Sequence, residues 1–246
     1  MSTTNQPEAG GHFSNTQWSL VIRAGDKADP AAQAALETLC RRYWFPLYAF
    51  VRREGYGLHD AQDLTQAFFA RFLECDYLND VDPSRGRFRS FLLASLRHFL
   101  ANARNHTAAA KRGGGRTTLS FDFSNAEDRY LHEPATAWTA EKLFHRRWAV
   151  ELLQAVMKRL HGEWDTPEKR AFFAAVQAFL SDAAPTRTYA EVAHDLQMTE
   201  GAVKTAVHRL RRRYRELLCA EIAQTVTDPE QVDEEIKQLF GALQGR

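Results

Sequence analysis

The side chains best suited to chemistry in this sequence lie along one face of a single helix. At helical spacing this face carries Glu200, Lys204, Thr205, His208, Arg211, Arg212 and Arg215. The opposite face carries the apolar residues Val203, Val207, Leu210, Tyr214 and Leu217. Lysine, arginine, threonine and histidine side chains donate hydrogen bonds to base edges and phosphates. The pattern therefore predicts an amphipathic helix that contacts a nucleic acid.

A capping box begins a shorter helix just before this one. Thr188 and Glu191 have the spacing at which each side chain bonds the other residue's backbone amide. A turn is expected at Gln197-Met198, and Thr199 is a favourable N-cap for the long helix. A short helix, a tight turn and a longer basic helix are typical of a helix-turn-helix, whose second helix enters the DNA major groove. The alternative is a helical hairpin with a solvated basic face.

Position along the long helix separates two expected roles. Residues near its N-terminus face base edges in this motif, which favours Lys204, Thr205 and His208 for sequence readout. Arginines further along are expected to contact phosphates. These are Arg209, Arg211, Arg212 and Arg213.

A second basic segment lies in the first half of the chain. Between Asp82 and Asp122 there is no acidic residue. The basic residues of this interval are Arg85, Arg87, Arg89, Arg97, Arg104, Lys111, Arg112 and Arg116. Such a composition is typical of a site for a polyanion. Phe88, Phe91 and Phe99 lie among them and could stack on unpaired bases, although their helical spacing favours the core.

The elements that position these residues are helices. Apolar residues repeat at helical spacing over about 30–53, 60–74 and 88–104, and again in the second half of the chain. No alternating strand pattern is present. The sequence predicts an all-α fold of two small helical domains joined by a flexible linker, the second containing the helix-turn-helix.

Domain boundaries are expected where the helical pattern breaks. The expected parts are a disordered N-terminus at 1–12, a first domain at 13–104, a linker at 105–137, a second domain at 138–220 and an acidic C-terminal extension at 221–246. The apolar stripe of the extension suggests that it caps the second domain. The alternative is a regulatory latch, in which its acidic face competes with DNA for the basic helix near Arg211.

Composition narrows the functional classes. Three cysteines lie far apart with no Cys-x-x-Cys pair, which argues against a zinc finger and fits a reducing compartment. No apolar run approaches the roughly 20 residues that span a bilayer, and the first residues lack a signal peptide's apolar core. Carboxylates, histidines and cysteines do not group at metal or triad spacing, and no phosphate-binding glycine loop is present. We expect a cytoplasmic protein that is not an enzyme, with no metal, cofactor or membrane partner.

Three stretches carry a family resemblance. They are Asp60-Ala61-Gln62-Asp63-Leu64-Thr65-Gln66-Ala67-Phe68-Phe69, then Phe88-Arg89-Ser90-Phe91-Leu92 through Asn102-Ala103-Arg104, then Tyr189-Ala190-Glu191-Val192-Ala193 through Glu200-Gly201-Ala202-Val203-Lys204. In this order they resemble the polymerase-binding helix, the minus-10 segment and the minus-35 domain of sigma-70-class RNA polymerase sigma factors. Trp18-Ser19-Leu20-Val21, Lys111-Arg112-Gly113-Gly114 and the acidic tail are similar to one extracytoplasmic-function (ECF) subgroup with a short C-terminal extension.

The resemblance implies a function and a set of sites. The chain would bind core RNA polymerase and promoter DNA, with an anti-sigma factor or another regulatory protein as a further partner. Domain 13–104 would correspond to sigma region 2 and domain 138–220 to sigma region 4. The implied polymerase-binding residues are Asp60, Asp63, Leu64, Gln66, Phe69 and Phe72. The implied minus-10 residues are Arg89, Arg97, His98, Asn102, Arg104, Lys111 and Arg112. The implied minus-35 residues are Thr199, Lys204, Thr205, His208, Arg209, Arg211 and Arg212.

A stand-alone helix-turn-helix regulator is the alternative function. Such a protein binds DNA without polymerase, and its dimers usually recognise paired half-sites. This alternative leaves the helix from Asp60 and the basic segment around Arg97 without a role.

Overall fold

In the described part of this computed structural model, the regular elements are helices. The described residues are 30–74, 87–106, 121–132, 138–164, 166–180, 187–226, 228 and 230–245. The helices are α1 (Pro30–Arg53), α2 (Leu58–Glu74), α3 (Phe88–His106), α4 (Ala126–Leu131), α5 (Ala140–Gly162), α6 (Pro167–Val176), a 3-10 helix (Gln177–Leu180), α7 (Tyr189–Asp195), α8 (Glu200–Ala223) and α9 (Gln231–Leu243). The predicted all-α class is confirmed. The expected N-terminal segment 1–12 and the motif at Trp18 lie outside the described residues.

The helices form two compact units. The first unit contains the described residues up to Val150 together with those from Ile222 onward, and the second contains Glu151–Glu221. The expected boundaries at 137/138 and 220/221 differ from this division, because the first half of α5 and all of α9 belong to the first unit. Breaks in a local helical pattern do not report contacts between residues that are distant in sequence.

The core of the first unit is built from the apolar faces of α1, α2 and α3. Its buried side chains include Leu39, Tyr43, Leu47, Phe50, Phe68, Phe69, Phe72, Phe88, Leu92 and Leu96. Edge-to-face ring pairs join the helices, with centroids 5.1 Å apart for Tyr43 and Phe88 and 5.7 Å apart for Phe68 and Phe99. Such pairs add to the stabilisation that burial alone provides. Between α1 and α2, Gly55 has a φ of 96°, a left-handed conformation that glycine adopts without strain.

Residues 121–132 pack on α1 rather than forming part of a free linker. Phe121 stacks on Trp44 with ring centroids 5.8 Å apart, and Phe123 meets the same ring edge-on at 5.1 Å. The carboxylate of Glu127 accepts a hydrogen bond from Arg52 Nη2 at 2.5 Å. This bond is the main reason that the pKa of Glu127 lies below its usual range. The expected linker 105–137 therefore includes a stretch that is fixed to the first unit.

The C-terminal segment also packs in the first unit. The backbone N–H of Phe88 donates to the Thr225 carbonyl at 3.0 Å, and Arg87 and Val226 form an isolated antiparallel bridge. On α9 the buried residues are Glu235, Leu239 and Ala242. A buried glutamate on an otherwise apolar face requires a cationic partner, because an unpaired charge in the interior is costly.

The second unit surrounds a smaller core. The second half of α5, α6, the 3-10 helix, α7 and α8 contribute the buried residues Leu152, Val156, Leu160, Phe173, Val176, Phe179, Val192, Val203, Val207 and Leu210. Phe179 and Tyr189 stack with ring centroids 4.3 Å apart, which joins the 3-10 helix to α7. These contacts fix α7 and α8 on one scaffold.

Candidate nucleic-acid interface

The start of α7 is held by the predicted capping box. The Thr188 hydroxyl accepts a hydrogen bond from the Glu191 backbone N–H at 3.2 Å, and the Glu191 carboxylate accepts one from the Thr188 backbone N–H at 2.6 Å. These bonds satisfy two backbone donors that the first turn of a helix leaves unpaired. The bond from the Thr188 backbone N–H, with a second from the Thr188 hydroxyl, lowers the pKa of Glu191.

The turn after α7 contains a residue in the left-handed region. Gln197 has a φ of 52°, where glycine is usual. The Met198 N–H donates to the Ala193 carbonyl at 2.9 Å and the Gln197 N–H to the His194 carbonyl at 3.2 Å. This pair of bonds is a Schellman motif, which ends α7 sharply. Thr199 then caps α8, since its hydroxyl accepts from the Ala202 N–H at 3.2 Å.

The predicted readout residues lie on the exposed face of α8. Lys204, Thr205 and His208 are all exposed. Lys204 pairs with Glu200 at 2.6 Å, and the Thr205 hydroxyl donates to the Gly201 carbonyl at 2.9 Å. Exposed pairs of this kind are weak, so a nucleic acid would displace them at little cost.

The arginines of α8 differ in what they contact. Arg209 and Arg212 are exposed, and Arg212 pairs with Glu216 one turn away. Arg211 instead donates from Nε and Nη2 to the Phe179 carbonyl at 2.9 and 2.6 Å, where it caps the 3-10 helix. Arg213 pairs with Glu163 at 2.6 Å, and this bond raises the pKa of Arg213. The structure thus gives Arg211 and Arg213 partners within the second unit.

A shallow cleft beside α8 adds residues that sequence reasoning missed. Trp164 and Lys169 border it together with Arg209 and Arg213. The Trp164 ring stacks on Phe172 with centroids 5.6 Å apart. Neither residue follows the periodicity of α8, so no sequence pattern linked them to this face.

In the first unit, four of the predicted minus-10 residues are exposed on α3. His98 and Asn102 are one turn apart. Arg97 and Arg104 border a cleft with Glu54, and Arg97 pairs with Glu141. Arg104 donates to the Tyr56 hydroxyl at 2.8 Å. Lys111 and Arg112 lie outside the described residues.

Arg89, also predicted as a minus-10 residue, is buried. Only 5% of its surface is exposed, and its guanidinium forms an ion pair with Glu235, which is 1% exposed. The guanidinium also lies over the Trp148 ring at 4.4 Å. In this structure Arg89 therefore faces the interior of the first unit, and a DNA contact would require α9 to move. Nothing in the spacing of Arg89 indicated a partner so far along the chain.

His145 completes the cluster around Arg89. The Arg89 Nη1 atom lies 2.7 Å from His145 Nδ1, so this nitrogen accepts a hydrogen bond and carries no proton. Burial, with added repulsion from Arg89 and Arg97, lowers the pKa of His145 to about 4. His145 is therefore neutral at physiological pH.

The predicted polymerase-binding residues divide by exposure. Asp60 and Asp63 are exposed in the first turns of α2, and Leu64 and Gln66 are half-buried. Phe69 and Phe72 are instead core residues, with exposures of 0% and 1%. Phe69 contacts Phe121 with ring centroids 4.9 Å apart. The polar start of α2 is thus available to a partner, whereas its aromatic residues hold the unit together.

Comparison with known proteins adds no family assignment. No protein-family model, curated protein or solved structure matches this chain. Within the described ranges there is no cluster of histidine, cysteine and carboxylate side chains suited to a metal ion. In the same ranges no helix has the length and apolar character needed to cross a bilayer.

Proposed function

We propose that this protein is a sigma factor of the extracytoplasmic-function type, which binds core RNA polymerase in the cytoplasm and directs promoter recognition and transcription initiation. The observation that carries the proposal is the arrangement of α7, the turn at Gln197 and α8. A short capped helix, a sharp turn and a longer helix with a basic face have the form of a helix-turn-helix.

The exposed face of α8 supports a role in reading duplex DNA. Lys204, Thr205 and His208 would reach base edges of a minus-35 element, because they lie toward the N-terminus of the second helix. Arg209 and Arg212 would contact phosphates on either side. Arg211 would act indirectly, by fixing the 3-10 helix against α8.

The first unit supports the other two activities of a sigma factor. Asp60 and Asp63 present carboxylates at the start of α2, where a basic surface of the polymerase would bind. Arg97, His98, Asn102 and Arg104 present cations and hydrogen-bond donors along α3, where the minus-10 strand would lie. A single chain with both surfaces would read two promoter elements at once.

A stand-alone regulator is the second candidate. The burial of Phe69 and Phe72 favours it, since two of the six residues expected to contact polymerase are unavailable at the surface. A regulator would need only the second unit to bind duplex DNA.

Transcription in vitro tests the proposal. Purified core polymerase and genomic DNA are incubated with and without the protein, and transcript starts are mapped. We expect new starts that share a bipartite upstream motif. Asp63→Ala should abolish them, whereas Asp128→Ala, which removes an exposed aspartate from α4, should leave them unchanged.

A different result of the same assay would refute the proposal. If no new starts appear but the protein binds free duplex DNA tightly and sequence-specifically, the sigma-factor proposal is wrong and the stand-alone regulator is supported.

A further inference from the structure

We propose that Arg87 and Arg89 form a phosphate-binding site on the first unit, and that α9 covers it with the Glu235 carboxylate in the place of a DNA phosphate. This inference rests on the proposed function, because the phosphates would be those of the promoter strand on α3. The two arginines stand at the start of α3, on the helix that carries Arg97 and Asn102.

The geometry of the Glu235 carboxylate supports the exchange. Arg89 donates from Nε to one carboxylate oxygen and from Nη2 to the other, the second bond measuring 2.9 Å. Arg87 Nη1 adds a contact of 3.2 Å. A guanidinium fork of this kind binds a carboxylate or a phosphate in the same bidentate way. A phosphate would therefore find donors already oriented for it.

Other side chains hold the two guanidinium groups in place around the carboxylate. The Gln238 side-chain oxygen accepts hydrogen bonds from both Arg87 and Arg89, and His145 accepts one from Arg89. The Arg89 guanidinium also makes a cation–π contact with the Trp148 ring. Two of these contacts, from His145 and Trp148, come from α5 and would persist after α9 had left. These two contacts would keep the Arg89 guanidinium in place without α9.

Charge on α9 supplies a reason for DNA to displace it. The described residues from Asp228 onward contain five carboxylates and one lysine. Asp233 and Glu234 are exposed on the outer face. DNA bound along α3 would repel this acidic helix and attract the two arginines beneath it. Both effects favour exchange of Glu235 for phosphate.

A pair of matched variants tests the exchange in the full chain. Glu235→Gln removes the buried charge, and Asp233→Asn makes the same chemical change on the exposed side of α9. Binding of a dye-labelled single-stranded DNA of mixed sequence is followed by fluorescence anisotropy over a range of salt concentrations. We expect Glu235→Gln to bind about tenfold more tightly than wild type with the same salt dependence, because α9 leaves in both complexes and the phosphate contacts are then the same. Asp233→Asn should match wild type.

Hydrogen exchange on the wild-type protein gives a test that does not depend on a variant. The backbone amides of Gln231–Leu243 should lose protection when DNA is bound at saturation, while those of α1 should not. If α9 keeps its protection in the complex, or if Glu235→Gln and Asp233→Asn bind alike while both are folded, the exchange does not occur. If Glu235→Gln does not fold, hydrogen exchange decides alone.

The transcription assay separates this inference from the proposed function. A wild-type protein that directs new transcript starts but keeps α9 protected on DNA retains its function and refutes the covered site. A protein that neither directs new starts nor binds DNA refutes both.

Discussion

The two units hold their basic residues by different means. In the second unit, α7 and α8 each begin at a cap formed by close neighbours in sequence, Thr188 with Glu191 for α7 and Thr199 with Ala202 for α8. In the first unit, Arg89 is held by Glu235, which lies 146 residues away. Local caps contribute modestly, and each can be changed with little effect on the rest. A buried charge pair is different, because the loss of one partner leaves the other charged in the interior. A substitution at Arg89 or Glu235 is therefore expected to cost more stability than one at the α7 cap.

The largest expected effect comes from Arg89→Ala. This change leaves Glu235 buried without its main partner and should lower the free energy of unfolding by about 3–5 kcal/mol. Arg97, on the same helix, pairs with Glu141 of α5, and both side chains are about half exposed. Arg97→Ala should therefore lower the free energy of unfolding by less than about 1 kcal/mol. Chemical denaturation of both variants measures the difference. Equal losses would show that the burial of the Arg89 pair does not govern stability.

Acid should weaken the first unit through His145. Its folded pKa of about 4 lies below the usual histidine value of 6.5, so the unfolded chain takes up the proton more readily. The contribution of neutral His145 is complete above pH 6.5 and is lost as the pH falls toward 4. At 1.36 kcal/mol per pKa unit the loss is roughly 3 kcal/mol.

The role of His145 is tested by measuring the free energy of unfolding of wild type and His145→Asn by denaturation at several pH values. Asparagine keeps an acceptor for Arg89 but does not titrate, so its stability should fall less over this window. If the two proteins lose stability equally as the pH falls, His145 is not the cause of the acid sensitivity.

Salt dependence should separate the arginines of α8. Arg209→Ala removes an exposed cation and should reduce the slope of log affinity for duplex DNA against log salt by about 0.9. Arg211→Ala removes a side chain that caps the 3-10 helix. The slope of log affinity against log salt should therefore equal that of wild type, while thermal stability falls. An equal loss of slope in both variants would place Arg211 at the DNA after all.

Loss of the α7 cap should have a moderate effect. Thr188→Ala should lower the free energy of unfolding by about 1 kcal/mol, because the Glu191 amide loses its acceptor. Thr188→Ser keeps the hydroxyl and serves as the control. Thermal unfolding followed by circular dichroism measures both, and a Ser variant as weak as the Ala variant would argue against the cap.

The smallest effect should come from Gln197→Gly, and it should stabilise. Glycine relieves the left-handed strain, although it also gives the unfolded chain more freedom. We expect a net gain of about 0.5 kcal/mol by denaturation, with Leu196→Gly as a destabilising comparison. If Gln197→Gly is instead less stable than wild type, the Gln197 side chain stabilises the fold by more than the left-handed backbone strain costs.

Features that depend on neighbouring residues were predictable from the sequence. The capping box at Thr188, the cap at Thr199 and the buried stripe of α8 all follow from short spacings and were confirmed. The α1, α2 and α3 stripes followed for the same reason, since a helix repeats its buried positions every few residues.

Features that depend on distant residues were not predictable. The Arg89 pair joins the start of α3 to α9, and no spacing rule connects positions so far apart. The packing of Phe121 on Trp44 and Phe69 is of the same kind, and it places residues 121–132 on the first unit. Arg211 shows a further limit, because helical periodicity put it on the basic face but gave no sign that it would cap Phe179.

The long separation between Arg89 and Glu235 also sets an order of events during synthesis. Because Glu235 lies 146 positions after Arg89, it leaves the ribosome about 7–30 s later at ordinary elongation rates. Throughout that interval the guanidinium lacks its carboxylate partner, although His145 and Trp148 are made well before Glu235. The capping box of α7 is complete within three residues of its first member. The newly made chain therefore contains every residue of the α7 capping box while the first unit still lacks its internal counter-ion.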